Sequence, residues 1–311
     1  MRAMVFTKPG TVELLEVGEP VAGPGEVVVA VAACGICGSE LHGISEEGFR
    51  RPPLIMGHEF SGLTPDGRAV AVNPFLHCGH CDMCAAGLEQ LCRSRSIIGI
   101  HRPGAFAERV AVPEDAVHDL PASVPVVLGA LAEPFANAVH AWRLGGAERG
   151  ARVAVIGSGG IGLAVLLVAK HQGAEVMIAD RLAGRLSFAE RLGADAVGAS
   201  IEGEFDVVID AVGASSTRRA SVEHLRPAGT AVWVGLLNSE PGFDALDLVR
   251  SGKQVVGSFA YTRADFGEAV ALTAELDLAW ASAFDLEDGP EIFDELIDGR
   301  GDVVKALLQP R

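Results

Sequence analysis

Two short stretches carry side chains able to do metal chemistry. Cys37 lies in Gly35-Ile36-Cys37-Gly38-Ser39-Glu40-Leu41-His42, and His58 and Glu59 lie in Gly57-His58-Glu59. A thiolate, an imidazole and a carboxylate suit a catalytic zinc that keeps one position open for substrate, so Cys37 and His58 are expected to hold such an ion. A second group, Cys78, Cys81, Cys84 and Cys92, has the spacing C-x2-C-x2-C-x7-C. Four thiolates that close together can surround one tetrahedral zinc with no open position, which is a structural staple. His77 and His80 lie within this stretch but are expected to be solvated.

The third chemical feature is Gly157-Ser158-Gly159-Gly160-Ile161-Gly162, between a predicted strand and a predicted helix. Glycines there permit a tight turn, and the helix N-terminus offers N–H groups to a pyrophosphate. Asp180 ends the next predicted strand, 23 residues after Gly157, where a carboxylate binds the adenosine ribose hydroxyls and repels a 2′-phosphate. NAD is therefore expected over NADP, although Arg181 and Arg185 are placed to meet a 2′-phosphate or the adenine.

The elements that must position these groups fall into two textures. Residues 1–125 read mainly as short strands and turns, among them Glu26–Ala33, Ala69–Val72 and Ala105–Val112. A helix is expected from about Val126 to Leu144, interrupted near Glu133-Pro134. From Ala151 strands and helices alternate, the mark of a parallel sheet covered on both faces. A final strand is expected around Val303–Leu308.

Composition narrows the function classes. Apolar residues make up 49% and there are 38 glycines, consistent with an α/β protein. A net charge of −16 argues against nucleic-acid or anionic-membrane partners, which need a basic face. No apolar run is long enough to span a bilayer, and the N-terminus lacks a signal-peptide pattern. Clustered rather than paired cysteines point to metal in a reducing compartment, so the cytoplasm is expected.

Together, C-G-I-C-G-S-E-L-H (Cys34 to His42), G-H-E, the four-cysteine stretch and G-S-G-G-I-G resemble the zinc-dependent medium-chain dehydrogenase/reductases. The sorbitol-, threonine- and glucose-dehydrogenase-like branch is the nearest likeness. The resemblance implies a GroES-like β-rich catalytic domain (1–143 and 262–311) around a Rossmann domain (144–261), with substrate bound between them. It implies two zinc ions per chain, NAD as hydride acceptor with NADP as the alternative, a small alcohol as substrate, and a homodimer or homotetramer. Carried over by position, Cys37 and His58 are catalytic zinc ligands and Cys34 is a packed core cysteine. Glu133, in Ala132-Glu133-Pro134, and Glu59 compete for the third protein ligand. Ser39 and His42 match a proton relay. Val234, Gly235 and Leu236 match backbone contacts to the nicotinamide, and Lys305 a pyrophosphate contact.

Two departures stand out. Glu40 replaces the usual Asp, and the chain is shortened at residues 62–69 and after Phe284. The activity implied is reversible oxidation of a secondary alcohol, polyol, sugar or amino-alcohol. The alternatives are an NADPH-dependent ketone or aldehyde reductase, and a nucleotide-binding protein without hydride chemistry.

Overall fold

The structure is a computed structural model that describes residues 1–45, 48–237, 242–298 and 303–310. The chain divides into two compact units, Met1–Glu133 with Thr262–Arg311 and Pro134–Tyr261. The sequence-based boundary at 143/144 thus falls inside the helix Ala132–Gly145. That helix begins where an interruption was expected. Val126–Leu131 is a 3-10 segment, and Pro134 sits in the first α-helical turn, where its missing N–H costs no hydrogen bond.

The first unit is built on a largely antiparallel sheet. Its path runs Val117–Asp119, Ala69–Val72, Glu59–Leu63, Glu26–Gly35, Lys305–Gln309 and Ala281–Asp285, with Arg109–Pro113 also paired to Glu26–Gly35. Alternation in these strands sends Val29, Val31, Phe60, Val70, Val72, Val110 and Leu308 into one core with Met4, Phe6 and Phe106. Each such side chain removed from water contributes about 1.5–3 kcal/mol, which holds the strand ends in fixed register. Two register facts matter for the site: Gly35 pairs with Glu59, and Leu307 pairs with Gly35. They bring the residues just beyond Gly35 beside Glu59 and Lys305.

The second unit is a six-stranded, wholly parallel sheet. Its order is Ala196–Gly198, Glu175–Ala179, Arg152–Ile156, Phe205–Asp210, Leu225–Trp233 and Gln254–Gly257. Chain order reverses between Arg152–Ile156 and Phe205–Asp210, which opens a crevice at the carboxyl ends of these strands. The helix Gly160–His171 is buried from Gly162 to Ala169, matching its nearly continuous apolar sequence. Among the described residues no helix is long and apolar enough to cross a membrane.

Candidate metal centres and dinucleotide loop

Cys37 leaves the strand Glu26–Gly35 and becomes the N-cap of the helix Gly38–Gly43. Glu40, at the third helical position, reaches back so that its Oε2 accepts the Cys37 N–H at 3.0 Å. Its Oε1 accepts the Gly57 N–H at 2.9 Å and lies 3.0 Å from His58 Nδ1. The longer side chain at this position therefore makes its contacts without leaving the core. Hydrogen bonding through Nδ1 leaves Nε2 of His58 for a metal.

Gly57 is required twice over. Its φ is +95°, and a Cβ there would stand 2.7 Å from Cys34 Sγ and 2.6 Å from Phe106 N. Cys34 is fully buried, and the expected core role agrees with that position.

Ligand atoms of Cys37, His58 and Glu59 all lie within 4.8 Å of one another. Glu133 is buried but is not a member of that tight group. Lys305, expected from the resemblance to meet a pyrophosphate, has a partner that the sequence did not suggest. It is buried, ion-paired with Glu59, and donates to Ile36 O at 3.0 Å. The antiparallel pairing of the last strand, distant in sequence, carries it there. A Cβ on Gly35 would fall 2.3 Å from Glu59 Oε2 and 3.0 Å from Lys305 Cε, so the first glycine of C-G-I-C-G makes room for the ion pair.

The electrostatics ask for a cation. Burial disfavours an imidazolium at His58, but Glu40 and then Cys37 outweigh it and raise the ring pKa well above the usual value. Burial likewise works against charge on Lys305, yet Glu59, Cys37 and Glu133 push its pKa up. Three buried carboxylates, Glu40, Glu59 and Glu133, gather here with the cations Lys305 and Arg50, and a metal-bound sulfur at Cys37 would add a further negative charge. Buried charge is costly unless compensated, and a divalent ion would balance this set. The donor set therefore fits zinc.

The cysteine group fits a closed site. Its sulfurs are separated by 3.5 Å (Cys81–Cys84), 3.6 Å (Cys92–Cys78), 3.9 Å (Cys81–Cys92) and 4.0 Å (Cys78–Cys84). Tetrahedral bonds of zinc to sulfur imply sulfur–sulfur edges of about 3.8 Å. Backbone donors at Arg93 and Cys84 lower the Cys81 pKa to about 6, while burial and the Cys81 sulfur raise Cys84 to about 12. His80 is exposed and contacts the Cys78 carbonyl, outside the sulfur group.

Ser39 and His42 lie three residues apart on the helix Gly38–Gly43, Ser39 half-buried and His42 exposed. In the second unit, Gly159 is the N-cap of the helix Gly160–His171, whose first N–H groups lack intrahelical acceptors and point out of the loop. A Cβ at Gly162 would lie 1.7 Å from Gly157 O, so only glycine permits this close turn. The cradle fits a pyrophosphate.

Asp180 is more engaged than its position in the sequence suggests. Its Oδ2 accepts from Ser158 N–H at 2.8 Å and Ser158 Oγ at 3.0 Å, and its Oδ1 from Leu182 N–H at 2.9 Å. Arg181 is exposed beside it and Arg185 half-buried on the following helix. At the far side of the crevice, Val234 and Gly235 both donate to Asp210 O, at 3.0 and 2.9 Å, and Leu236 is exposed. Asp180→Ala is expected to lower kcat/KM for NAD by roughly ten- to a hundredfold, the scale of hydrogen bonds to a charged group. NADP should lose less. Initial rates with both cofactors measure the ratio, and equal losses would show that Asp180 only braces the loop.

Among known proteins, residues 160–275 match the zinc-binding dehydrogenase family and residues 23–122 the alcohol dehydrogenase GroES-like domain. The chain is 33% identical over 282 residues to L-galactonate-5-dehydrogenase of Escherichia coli K12, covering 82% of each. It is 33% identical over 337 residues to L-threonine 3-dehydrogenase of Streptomyces avermitilis, covering 97% of each. A solved structure from Sinorhizobium meliloti 1021, bound to NADP, superposes with a TM-score of 0.92 at 30% identity over 99% of both chains. With a zinc-competent donor group in one unit and a dinucleotide-type loop in the other, this chain belongs to the zinc-binding dehydrogenases with a GroES-like alcohol dehydrogenase domain.

Proposed function

We propose that the protein is a zinc-dependent, nicotinamide-linked dehydrogenase that reversibly oxidises a secondary hydroxyl to a ketone. The convergence of Cys37, His58 and Glu59 to within 4.8 Å is the observation that carries this reading. Cys37 and His58 hold the catalytic ion and Glu59 is the nearest carboxylate donor, while Cys78, Cys81, Cys84 and Cys92 hold the structural one. When bound, zinc supplies Lewis acidity toward the alcohol oxygen and the nicotinamide accepts the carbinol hydride.

The chain's own residues supply orientation and proton movement. Glu40 fixes the His58 ring through Nδ1, and Lys305 holds Glu59 by an ion pair. Ser39 would relay the substrate proton, accepting it while its own hydroxyl proton passes on through the cofactor ribose to His42, which is exposed and would release it to water. The Gly157–Gly162 turn seats the pyrophosphate and Asp180 the adenosine ribose, which favours NAD. Val234, Gly235 and Leu236 offer backbone groups to the nicotinamide amide.

The relatives named for galactonate and threonine point to a polyhydroxylated or amino-alcohol substrate. A carboxylate-rich centre with a buried lysine suits such polar molecules better than simple alkanols. A panel of polyols, sugar acids, diols and amino-alcohols, followed by NADH absorbance, is expected to give turnover with a vicinal diol or amino-alcohol. Activity confined to simple primary alcohols would overturn the substrate class. The NADP-bound relative and the exposed Arg181 support a second reading, NADPH-linked ketone reduction, which the cofactor ratio separates. Reduced thiols in both metal groups suit the cytoplasm, and the parallel sheet's edge strand Gln254–Gly257 suits dimers or tetramers of this chain.

A further inference from the structure

Arg50 follows the helix Gly38–Gly43, and nothing in its local sequence marks it as special. Its side chain is fully buried, and a Cβ on Gly43 would stand 2.3 Å from its Nη1. Nη1 donates to the Ser39 carbonyl, and the guanidinium lies 4.8 Å from the centre of the exposed Phe49 ring. Nε and Nη2 have no hydrogen-bond partner among the described residues. Nη2 stands 3.9 Å from Glu40 Oε1, too far for a hydrogen bond and close enough for strong Coulomb attraction in a buried setting.

Glu40 needs no help with orientation, since Cys37 N–H, Gly57 N–H and His58 Nδ1 already hold both its oxygens at 2.9–3.0 Å. A buried guanidinium with two unused donors is costly, and the hydrogen bond it makes goes to the Ser39 carbonyl and not to Glu40, so what it offers Glu40 is charge. We infer that Arg50 is a positioning residue for the metal centre, acting through Glu40 to weaken the donor strength of the Glu40–His58 arm. An unopposed carboxylate draws the Nδ1 proton toward itself and makes the ring a stronger ligand. Arg50 offsets that pull, and it also adds positive charge beside an ion that is itself positive. Both effects make the centre hold its metal less tightly than the surrounding anions alone would. A centre whose ion is less saturated by its protein donors is better able to exchange one oxygen ligand at each turnover.

The inference rests on the zinc reading of Cys37 and His58. It makes a prediction opposite in sign to a packing role, because removing a packing residue loosens a site and frees its metal. Zinc release from the purified protein to excess pyridylazoresorcinol is the readout, with the phase missing in Cys37→Ser assigned to this centre. Arg50→Met, or Arg50→Gln where methionine fits poorly, is expected to slow that phase about tenfold, while Arg50→Lys keeps it within about twofold of the native rate. The double variant Glu40→Gln/Arg50→Met should return it to the native rate or beyond. The visible bands of the cobalt-substituted Arg50→Met protein should shift, and those of Arg50→Lys should not.

Unchanged or faster release in a folded Arg50→Met or Arg50→Gln overturns the inference. If neither single variant folds, the double variant decides. A folded double variant with native release supports charge pairing, and an unfolded one beside a folded Glu40→Gln shows that Arg50 only packs. Native protein without a release phase removed by Cys37→Ser would instead sink the zinc reading itself.

Discussion

Cys37→Ser is expected to cut kcat by roughly a thousandfold or more, the scale of losing electrostatic stabilisation of charge that develops during the reaction. The substitution removes one atom's softness and little volume, and the helix it caps should persist, because serine is a good N-cap. The Glu40 arm to the N–H of residue 37 is also unaffected, since the backbone donates it. A hydroxyl does not ionise as a thiol does, so the centre loses its anionic sulfur while His58 and Glu59 remain. Metal analysis should then find the cysteine group loaded and the Cys37 group empty, one of the two such groups among the described residues. Binding of NADH, measured by fluorescence, should be unchanged, because the Gly157–Gly162 turn belongs to the other compact unit. Near-native turnover in Cys37→Ser would refute the proposed role outright.

Cys92→Ala should act on structure rather than on chemistry. Within residues 77–95 only Gln90 and Cys92 are buried, so this segment has almost no apolar core to order it. Its regular structure amounts to the short helix Asp82–Ala85 and the 3-10 turn Glu89–Leu91. Two N–H groups, of Cys78 and Ser94, point at Cys92 Sγ from 3.4 Å, and alanine would orphan both. Binding free energies of about 10–16 kcal/mol for structural zinc in small peptides show how much of such a segment's order a metal can supply. The expected result is loss of that zinc and rapid proteolytic nicking between residues 77 and 95, with the parallel sheet's unfolding little changed. Protease resistance equal to the native protein's would show that the segment is held by something other than metal.

The cysteine group and the glycine-rich turn were legible in the sequence because each closes over a few residues. In C-x2-C-x2-C-x7-C the chain between ligands is too short to separate them far, and Gly157 and Gly162 meet within a single turn. The pair Cys37 and His58 was recognisable from motif types, but its convergence depends on the pairing of Gly35 with Glu59 across two strands. Lys305 was legible as a residue of the last strand, but its ion pair with Glu59 was not. Nothing local shows that this lysine is buried against Glu59; the pairing of Leu307 with Gly35 brings it there. Arg50 gave no signal at all, since a charged residue among Arg51, Pro52 and Pro53 reads as surface loop until its burial is seen. The shift of the unit boundary to Glu133/Pro134 likewise comes from contacts made by the helix Ala132–Gly145, which its own periodicity does not reveal.

Sequence alone determined which donor atoms this protein owns and which close neighbours along the chain must meet: four sulfurs around one ion, and a glycine turn before a helix. Those follow from residue chemistry and from how far a short stretch of backbone can reach. Tertiary structure alone decided the charge around them. It buried Arg50 beside Glu40, and it buried Lys305 against Glu59 by pairing strands from both ends of the chain. Coulomb energies depend on distance and burial, and neither is fixed until the long-range register is made.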